Sequence, residues 1–354
     1  MIYLNFDLLN NPSHTYVIAE AGSNWKSSSY ANDLKQAKKL IDVAFNAGAD
    51  AVKFQTYTAD TMTINSNEKQ YRVTNKSSPF LGKSLYSLYK KGSLPWEWHN
   101  LLKKKAQKEK ILFFSSPFDI SSVNFLDKLN VPCYKIASFE LTHLPLIAAA
   151  AKKKRPLIIS TGMGTLLEIK EAVKTAKKNN CKKIILLKCT SNYPANEEDC
   201  NLISIEKLQK RFDCLVGLSD HTTGIASSIT SIAYGAILIE KHFKLKNDKS
   251  SIDAKFSIDP NNFKLMVKEG INAWKAKGKV FFGPTKNEKK SIRFRRSIFA
   301  IKRINKDEIF THKNIKILRP AIGLEPKFYF DMIGKKSRAN IKKFSPIKLK
   351  DFKK

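Results

Sequence analysis

Short apolar runs alternate along the chain with longer segments whose apolar residues recur at helical spacing. Eight runs rich in β-branched and aromatic residues predict strands at 16–21, 51–56, 111–116, 133–138, 156–161, 183–189, 215–221 and 236–242. The segments between them predict helices at 33–46, 96–108, 121–129, 144–152, 166–179, 204–211, 224–233 and 261–277. This alternation is typical of a parallel β/α fold, and eight units favour a (β/α)8 TIM barrel. A doubly wound open sheet is the alternative, but no G-x-G-x-x-G follows the first strand.

The alternation is interrupted at two places. The polar stretch 57–94 predicts a long insertion after the second strand, and loops at that end of a barrel lie at the catalytic face. Near Gly283 the β/α pattern stops. We therefore predict a barrel domain at 1–284, a charged linker at 285–296 and a small domain at 297–354. A domain of that size is near the lower limit for a stable core, so we expect it to dock on another surface.

The net charge of +33, from 64 Lys+Arg against 31 Asp+Glu, raises the question of nucleic-acid binding. Only nine of the cations are Arg, and the Lys are spread along the whole chain, which favours a solvated Lys-rich surface instead. The five Cys contain no C-x-x-C pair and fit reduced thiols. The first residues lack the pattern of a signal peptide, and no apolar run has the length of a membrane span. We expect a cytoplasmic protein that binds neither nucleic acid nor membrane.

Polar residues end the predicted strands, where a barrel gathers its active site. They are Glu20, Lys53, Gln55, Ser115, Ser116, Lys135, Ser138, Glu140, Ser160, Thr161, Lys188, Thr190, Ser219, Asp220, His221, Glu240 and His242. Burying an ionisable group at the end of an apolar strand costs folding free energy unless the group is paired or takes part in the protein's function. Packing alone does not explain such groups at the ends of eight strands.

Two of the six His residues, His221 and His242, end neighbouring strands. Two neutral imidazoles suit a divalent ion that keeps open positions, although two hydrogen-bonded His without metal fit the spacing equally well. The strand-end lysines suit a small anion that bears phosphate or carboxylate. A Schiff-base aldolase, in which one such lysine attacks a carbonyl, stays open at this point.

The strand ends lie within eight ordered motifs. These are 18–24 (IAEAGSN), 51–56 (AVKFQT), 114–119 (FSSPFD), 134–140 (YKIASFE), 160–163 (STGM), 188–194 (KCTSNYP), 217–222 (GLSDHT) and 239–243 (IEKHF). Together they resemble the sialic acid synthase family over nearly the whole chain. The segment 319–324 (RPAIGL) resembles that family's antifreeze-like (SAF) domain. At 56–61, 95–99, 256–257, 289–297 and 323–327 the chain is, within the family, most similar to the pseudaminic acid branch, and the alternatives are the legionaminic and N-acetylneuraminic acid branches.

The resemblance implies a transferase that condenses phosphoenolpyruvate with a diacetamido-trideoxy hexose. It implies a divalent metal (Mn²⁺, Mg²⁺ or Co²⁺) on His221 and His242, and it makes Glu20 the acid near the reacting centre. The residues that it assigns to phosphoenolpyruvate are Lys53, Lys135, Ser138, Ser160, Ser191 and Ser219. Those that it assigns to the sugar are Gln55, Glu140, Tyr193 and Asp253. Arg319 would reach the sugar in a partner's barrel, which implies a domain-swapped homodimer.

Three positions depart from the family pattern. Trp25 stands where His is common, Ser251-Ile252 replaces Gly-Pro before Asp253, and Glu325 stands where the pseudaminic acid branch often has His. Trp25 is either a changed sugar contact or a packing residue. The conformation of the loop before Asp253 is open.

Overall fold

Eight parallel strands close into a barrel in the computed structural model, which describes residues 12–27, 29–74 and 80–352. The strands are β1 (Tyr16–Glu20), β2 (Ala51–Thr56), β3 (Leu112–Pro117), β4 (Tyr134–Ile136), β5 (Leu157–Ser160), β6 (Ile184–Cys189), β7 (Leu215–Asp220) and β8 (Leu238–His242). Each strand pairs with the next in the chain, and β8 pairs with β1. The predicted barrel and all eight of its strands are confirmed.

Ten helices belong to the described part of this barrel unit. They are α1 (Tyr30–Asn46), α2 (Ala59–Met62), α3 (Leu85–Gly92), α4 (Trp98–Lys108), α5 (Ile120–Lys128), α6 (Leu144–Lys152), α7 (Leu166–Lys178), α8 (Ser204–Phe212), α9 (Ala226–Ala233) and α10 (Pro260–Lys277). Side-chain caps fix several beginnings: Asp119 caps α5, and Thr165 with Glu168 forms a capping box on α7. The eight predicted helices are present with small shifts of their ends.

The insertion after β2 contains more regular structure than its polar composition predicted. It holds α2, a 3₁₀ turn at Lys69–Tyr71 and α3. Residues 75–79 of this segment lie outside the described ranges. Both helices are short, so their apolar residues are too few to give a helical period in the sequence.

Buried apolar side chains form two clusters, which include residues inside the barrel and residues between its outer face and the helices. One cluster includes Phe114 and Ile158, and the other includes Phe54 and Trp98. Successive residues of a strand point to opposite faces. Phe54 therefore points outward between Lys53 and Gln55, which point into the barrel. Phe114 and Ile158 share the inner face of their strands with Ser116 and Ser160.

The contacts divide the chain into two compact units, Met1–Gly278 and Lys279–Lys354. The second unit contains a 3₁₀ helix at Glu288–Phe294, a two-stranded antiparallel sheet of β9 (Ser297–Ala300) and β10 (Ile315–Leu318), and helix α11 (Tyr329–Met332). Shorter 3₁₀ turns lie at Pro326–Phe328 and Leu349–Asp351. Its core includes Ile298 and Phe310. The domain limits 1–284, 285–296 and 297–354 stay a prediction.

None of the helices in the described ranges is long and apolar enough to cross a membrane. The predicted absence of a signal peptide concerns residues 1–11, which lie outside those ranges.

Candidate active site

Two lysines and two carboxylates form one buried chain of charges inside the barrel mouth. Lys53 Nζ lies 2.6 Å from Glu20 Oε2 and 3.5 Å from Glu240 Oε2. Lys135 Nζ lies 3.4 Å from the other oxygen of Glu240. All four residues are at most 4% exposed. The barrel thus brings together residues from β1, β2, β4 and β8, and Glu240 is a central member that the family resemblance did not assign.

Neutral hydrogen-bonding groups surround this charge cluster. Lys53 donates to Ser116 Oγ at 3.0 Å, and Lys135 donates to Ser160 Oγ at 2.7 Å. Two further bonds reach the carboxylates, one from Ser219 Oγ to Glu240 and one from Gln55 Nε2 to Glu20. These bonds fix the side chains before any substrate arrives.

The two carboxylates differ in their protonation. Burial raises the pKa of Glu20 to about 7, and Lys53 only partly offsets this effect. Burial acts on Glu240 too, but Lys135 and Lys53 outweigh it and hold the pKa of Glu240 well below its usual range. Glu240 therefore stays ionised at neutral pH, whereas Glu20 can hold and release a proton.

A hydroxyl-lined recess lies beside Lys135. The backbone N–H of Gly162 donates to Ser138 Oγ at 3.2 Å. A Cβ added at Gly162 would lie 2.1 Å from Ser191 Oγ and 2.7 Å from Ser138 Oγ. Glycine is needed there because the two hydroxyls approach its backbone closely. Ser138 and Ser191 thus lie against Gly162, two residues after the Ser160 that accepts from Lys135, and the assignment of these serines to phosphoenolpyruvate stays a prediction.

The imidazoles of His221 and His242 face each other with ring centroids 5.4 Å apart. His221 Nδ1 lies 2.8 Å from the carbonyl oxygen of Thr190, so this nitrogen donates and Nε2 keeps its lone pair. His242 Nδ1 is buried without a hydrogen-bond partner in the described part of the protein, and Asp253 Oδ2 lies 3.8 Å from it. Burial holds the pKa of His242 well below its usual range, and the ammonium charges of Lys53, Lys241 and Lys135 act in the same direction, so its imidazole is neutral.

This donor set fits a divalent ion, because an orphaned neutral imidazole nitrogen lies beside a second imidazole with a free lone pair. Within the described ranges, no group of three or more His, Cys, Asp or Glu side chains has the arrangement of a metal site. The protein ligands that the structure offers are therefore the two imidazoles, which leaves positions for water and substrate oxygens.

Cys189 is a member of the site that the sequence did not single out. Its thiol lies 3.8 Å from His221 Nδ1 and 3.7 Å from Ser191 Oγ. Burial raises the pKa of this thiol, but its contact with His221 outweighs burial and lowers the pKa to about 7. The inward position follows from strand alternation, which also turns Lys188 to the opposite face of β6. Lys188 accordingly donates to Cys189 O, so its inclusion among the cations of the mouth was wrong.

A cavity of about 490 Å³ opens beside His242. Four of the residues assigned to the sugar line it, namely Gln55, Glu140, Tyr193 and Asp253. Its remaining wall is largely apolar and includes Tyr57, Met62, Leu88 and Tyr89 of the insertion, together with Phe118, Phe139, Ile252 and Phe256. The sequence did not indicate that these apolar residues belong to one site, because no regular spacing relates their positions.

Glu140 offers a test of this cavity that does not need a substrate. Burial raises the pKa of its carboxyl to about 7, so ionising it costs folding free energy as pH rises from about 4.5 to 7. We expect Glu140→Gln to stabilise the protein at pH 8 relative to pH 5 by on the order of 1–3 kcal/mol. Thermal unfolding at both pH values measures this difference. Glu171→Gln, an exposed change on α7, is the control, and equal effects of the two variants would contradict the burial of Glu140.

The loop that carries Asp253 is held by a network that includes one of the departures. Ser251 Oγ donates to Asn24 Oδ1 at 2.7 Å, and the amide of Asn24 donates to Phe243 O and Ser257 Oγ. The N–H of Ser23 donates to Asp253 Oδ2 at 2.7 Å. Ser251 therefore anchors the loop, and Ile252 adds an apolar side chain to the cavity.

The two other departures, Trp25 and Glu325, and the predicted sugar contact Arg319 are not part of this loop. Trp25 is 2% exposed and packs edge-on against Trp98, so it is a packing residue. Arg319 and Glu325 are exposed residues of the second unit, and Glu325 pairs with Lys327 at 2.8 Å. The assignment of Arg319 to a sugar stays a prediction.

Comparison with known proteins gives a consistent result. The model of the NeuB family matches residues 40–281. The pseudaminic acid synthase of Campylobacter jejuni subsp. jejuni serotype O:2 is 40% identical over 343 residues, which cover 97% of this chain and 98% of that protein. The N,N'-diacetyllegionaminic acid synthase of the same strain is 38% identical over 332 residues, covering 93% of this chain and 97% of its own.

A solved structure agrees with these relatives. It is the crystal structure of the N-acetylneuraminic acid (sialic acid) synthetase from Leptospira borgpetersenii serovar Hardjo-bovis in complex with citrate. Its TM-score to this chain is 0.69 at 33% identity, and the match covers 79% of this chain and 90% of that one.

Proposed function

This chain belongs to the NeuB family of sialic acid synthases, and we propose that it acts in that family as a pseudaminic acid synthase. The reaction condenses phosphoenolpyruvate with 2,4-diacetamido-2,4,6-trideoxy-L-altrose and water to give pseudaminic acid and phosphate. The observation that carries this proposal is the buried cluster of Lys53, Lys135, Glu20 and Glu240 beside the His pair and the sugar-sized cavity. The relatives supply the identity of the two substrates.

Lys53 and Lys135 would hold the phosphoenolpyruvate. Its phosphate and carboxylate need cationic partners in a site that excludes water, and these two ammonium groups are the cations of the charge cluster. Ser138, Ser160, Ser191 and Ser219 supply hydroxyls beside them. Binding the anion would let the lysines exchange part of their contact with Glu240 for contact with substrate.

The bond-forming step joins C3 of phosphoenolpyruvate to the aldehyde carbon of the open-chain sugar. The aldehyde oxygen takes up a proton and becomes a hydroxyl, and water adds at C2. The tetrahedral intermediate then loses phosphate by cleavage of the C–O bond and leaves a 2-keto acid. Glu20, with a pKa near 7 and a place beside Lys53, is the residue that we assign to moving the proton.

His221 and His242 would hold a divalent ion, of which Mn²⁺, Mg²⁺ and Co²⁺ are the candidates. When bound, the ion supplies Lewis-acid polarisation of the aldehyde oxygen. The protein itself orients the two imidazoles. Thr190 O accepts from His221 Nδ1 and fixes that ring, and the loop with Asp253 lies against His242.

The sugar would occupy the adjoining cavity. Gln55, Glu140, Tyr193 and Asp253 provide polar contacts for amide and hydroxyl groups, and the apolar wall suits methyl groups. An altrose derivative with two acetamido groups and a 6-deoxy carbon carries three such methyl groups. The legionaminic precursor carries the same groups with different stereochemistry, so it is the second candidate acceptor.

A Schiff-base aldolase is the alternative from another class. Burial is the main cause that lowers the pKa of Lys135, and a neutral amine is a better nucleophile. Borohydride with substrate would then attach the sugar or pyruvyl group covalently to Lys53 or Lys135. We expect no such adduct, loss of turnover with chelator, and recovery with Mn²⁺. A borohydride adduct together with turnover in chelator would overturn the proposal.

We further propose that the second unit is an SAF domain whose Arg319 completes the site of a partner in a homodimer. Mixing two inactive variants tests this idea. Lys53→Met and Arg319→Ala subunits in one dimer would restore one intact site, so a denatured and refolded mixture should regain activity. A mixture with no more activity than its parts, although mass analysis shows mixed dimers, would refute the exchange.

A further inference from the structure

A buried ion pair joins the two strands that carry the histidines. Lys241 Nζ lies 2.7 Å from Asp220 Oδ2, and the side chains are 0% and 1% exposed. Asp220 and Lys241 are register partners on β7 and β8. Each directly precedes one histidine in the chain, since His221 follows Asp220 and His242 follows Lys241. Strand alternation turns the ion pair to the outer face of the barrel, where Asp220 also accepts from Ser228 of α9.

The same ammonium also holds the residue that follows His221. Lys241 Nζ donates to Thr222 O at 2.6 Å and to Thr222 Oγ1 at 3.2 Å. Asp220 Oδ1 in turn accepts from the N–H and the hydroxyl of Thr222, both at 2.9 Å. Both chain neighbours of His221 are thus tied to the residue before His242.

We infer that Lys241, through Asp220 and Thr222, is a positioning residue that sets the separation of the two imidazoles. The backbone after β7 leaves the sheet at His221, so the register of β7 and β8 alone does not fix that residue. The bond to Thr190 O orients the His221 ring, and the Lys241 ammonium adds the constraint that joins the end of β7 to β8. This inference rests on the proposed function, because it assigns the constraint to a pair of metal ligands.

Stability alone does not explain the arrangement. A buried ion pair is weak evidence for stability, since the desolvation of two charges offsets most of their attraction. Outer partners of metal ligands, by contrast, commonly change metal affinity about 10- to 100-fold when they are removed. The arrangement therefore matches a site in which two imidazoles alone must be held in a fixed relation.

The test measures Mn²⁺ binding by the electron paramagnetic resonance signal of free Mn²⁺, with no substrate present. We expect Lys241→Met to raise the Kd for Mn²⁺ about 10- to 100-fold. Saturating Mn²⁺ should restore most of kcat, and the KM for phosphoenolpyruvate should stay within about twofold of the unmodified protein. Lys26→Met is the matched control, because it removes the ammonium 2.6 Å from the buried Asp33 carboxylate. It should lower the melting temperature and leave the Kd unchanged.

A second variant keeps the test decisive if Lys241→Met does not fold. The double variant Asp220→Asn, Lys241→Met removes both charges, leaves no buried ion unpaired and still lacks the ammonium. It should show the same rise in Kd. Unchanged Mn²⁺ affinity in either folded variant, with the unmodified protein binding Mn²⁺, would overturn the inference and leave the proposed function intact. Failure of the unmodified protein to bind Mn²⁺ would overturn the metal site itself, and the inference with it.

Discussion

Replacing Lys53 by methionine is expected to lower kcat/KM about 1,000-fold, which corresponds to about 4 kcal/mol of transition-state stabilisation. Lys53 lies between Glu20 and Glu240 and is 3% exposed, so water cannot replace its charge. The KM for phosphoenolpyruvate should rise as well, because the lysine would contact the anion in the ground state too. Steady-state phosphate release at varied phosphoenolpyruvate measures both quantities.

The same change is expected to cost stability. Without the ammonium, Glu20 takes up a proton and the buried Glu240 carboxylate keeps only Lys135 as a cationic partner, and breaking a buried ion pair in this way costs about 3–5 kcal/mol. The matched control is Lys105→Met, which removes a lysine 2.8 Å from Glu109 on the surface of α4. The control should retain full activity. Near-normal turnover in a folded Lys53→Met protein would exclude Lys53 from substrate binding.

Replacing Glu20 by glutamine should lower kcat about 100-fold with little change in stability. The substitution keeps the shape and the bond to Gln55 but removes the proton that the carboxyl can exchange. Stability changes little because burial raises the pKa of Glu20, so its ionisation already costs folding free energy above about pH 4.5. Single-turnover product formation and thermal unfolding separate the two effects.

Glu109→Gln, the carboxylate partner in the same surface pair, is the control for Glu20. It should leave kcat unchanged at every pH. If Glu20→Gln kept the full rate, another group would have to move the proton, and Glu20 would then only hold Lys53 in place.

The barrel and most of its charged mouth were predictable because strand alternation is a local rule. Lys53, Lys135, His221 and His242 end apolar runs, and a closed parallel barrel brings such ends together whatever the loops do. The central position of Glu240 in the charge cluster was harder to predict. Its inward orientation could be predicted from His242, two residues later on the same strand, but its contacts with Lys53 and Lys135 depend on the closure of β8 against β1.

The rest of the site depends on contacts between distant segments. Ser251 reaches Asn24 across more than 200 residues, and the apolar cavity wall joins the insertion to Phe118, Phe139 and Ile252. No period or spacing encodes such contacts, since each loop takes its conformation from what it packs against. The alternation of side chains along β6 would have excluded Lys188 from the barrel mouth, because Cys189 and Lys188 cannot share one face of the strand.

The most direct measurement of the central claim is phosphate release from phosphoenolpyruvate with three acceptors in parallel. They are the diacetamido-trideoxy altrose, the legionaminic precursor and N-acetylmannosamine, each with Mn²⁺ and with the Lys53→Met variant as the blank. We expect release with the altrose derivative at a kcat/KM at least about 10-fold above the other two, a difference of about 1.4 kcal/mol. Equal or faster release with another acceptor would contradict the assigned sugar, and no release with any of them would contradict the synthase itself.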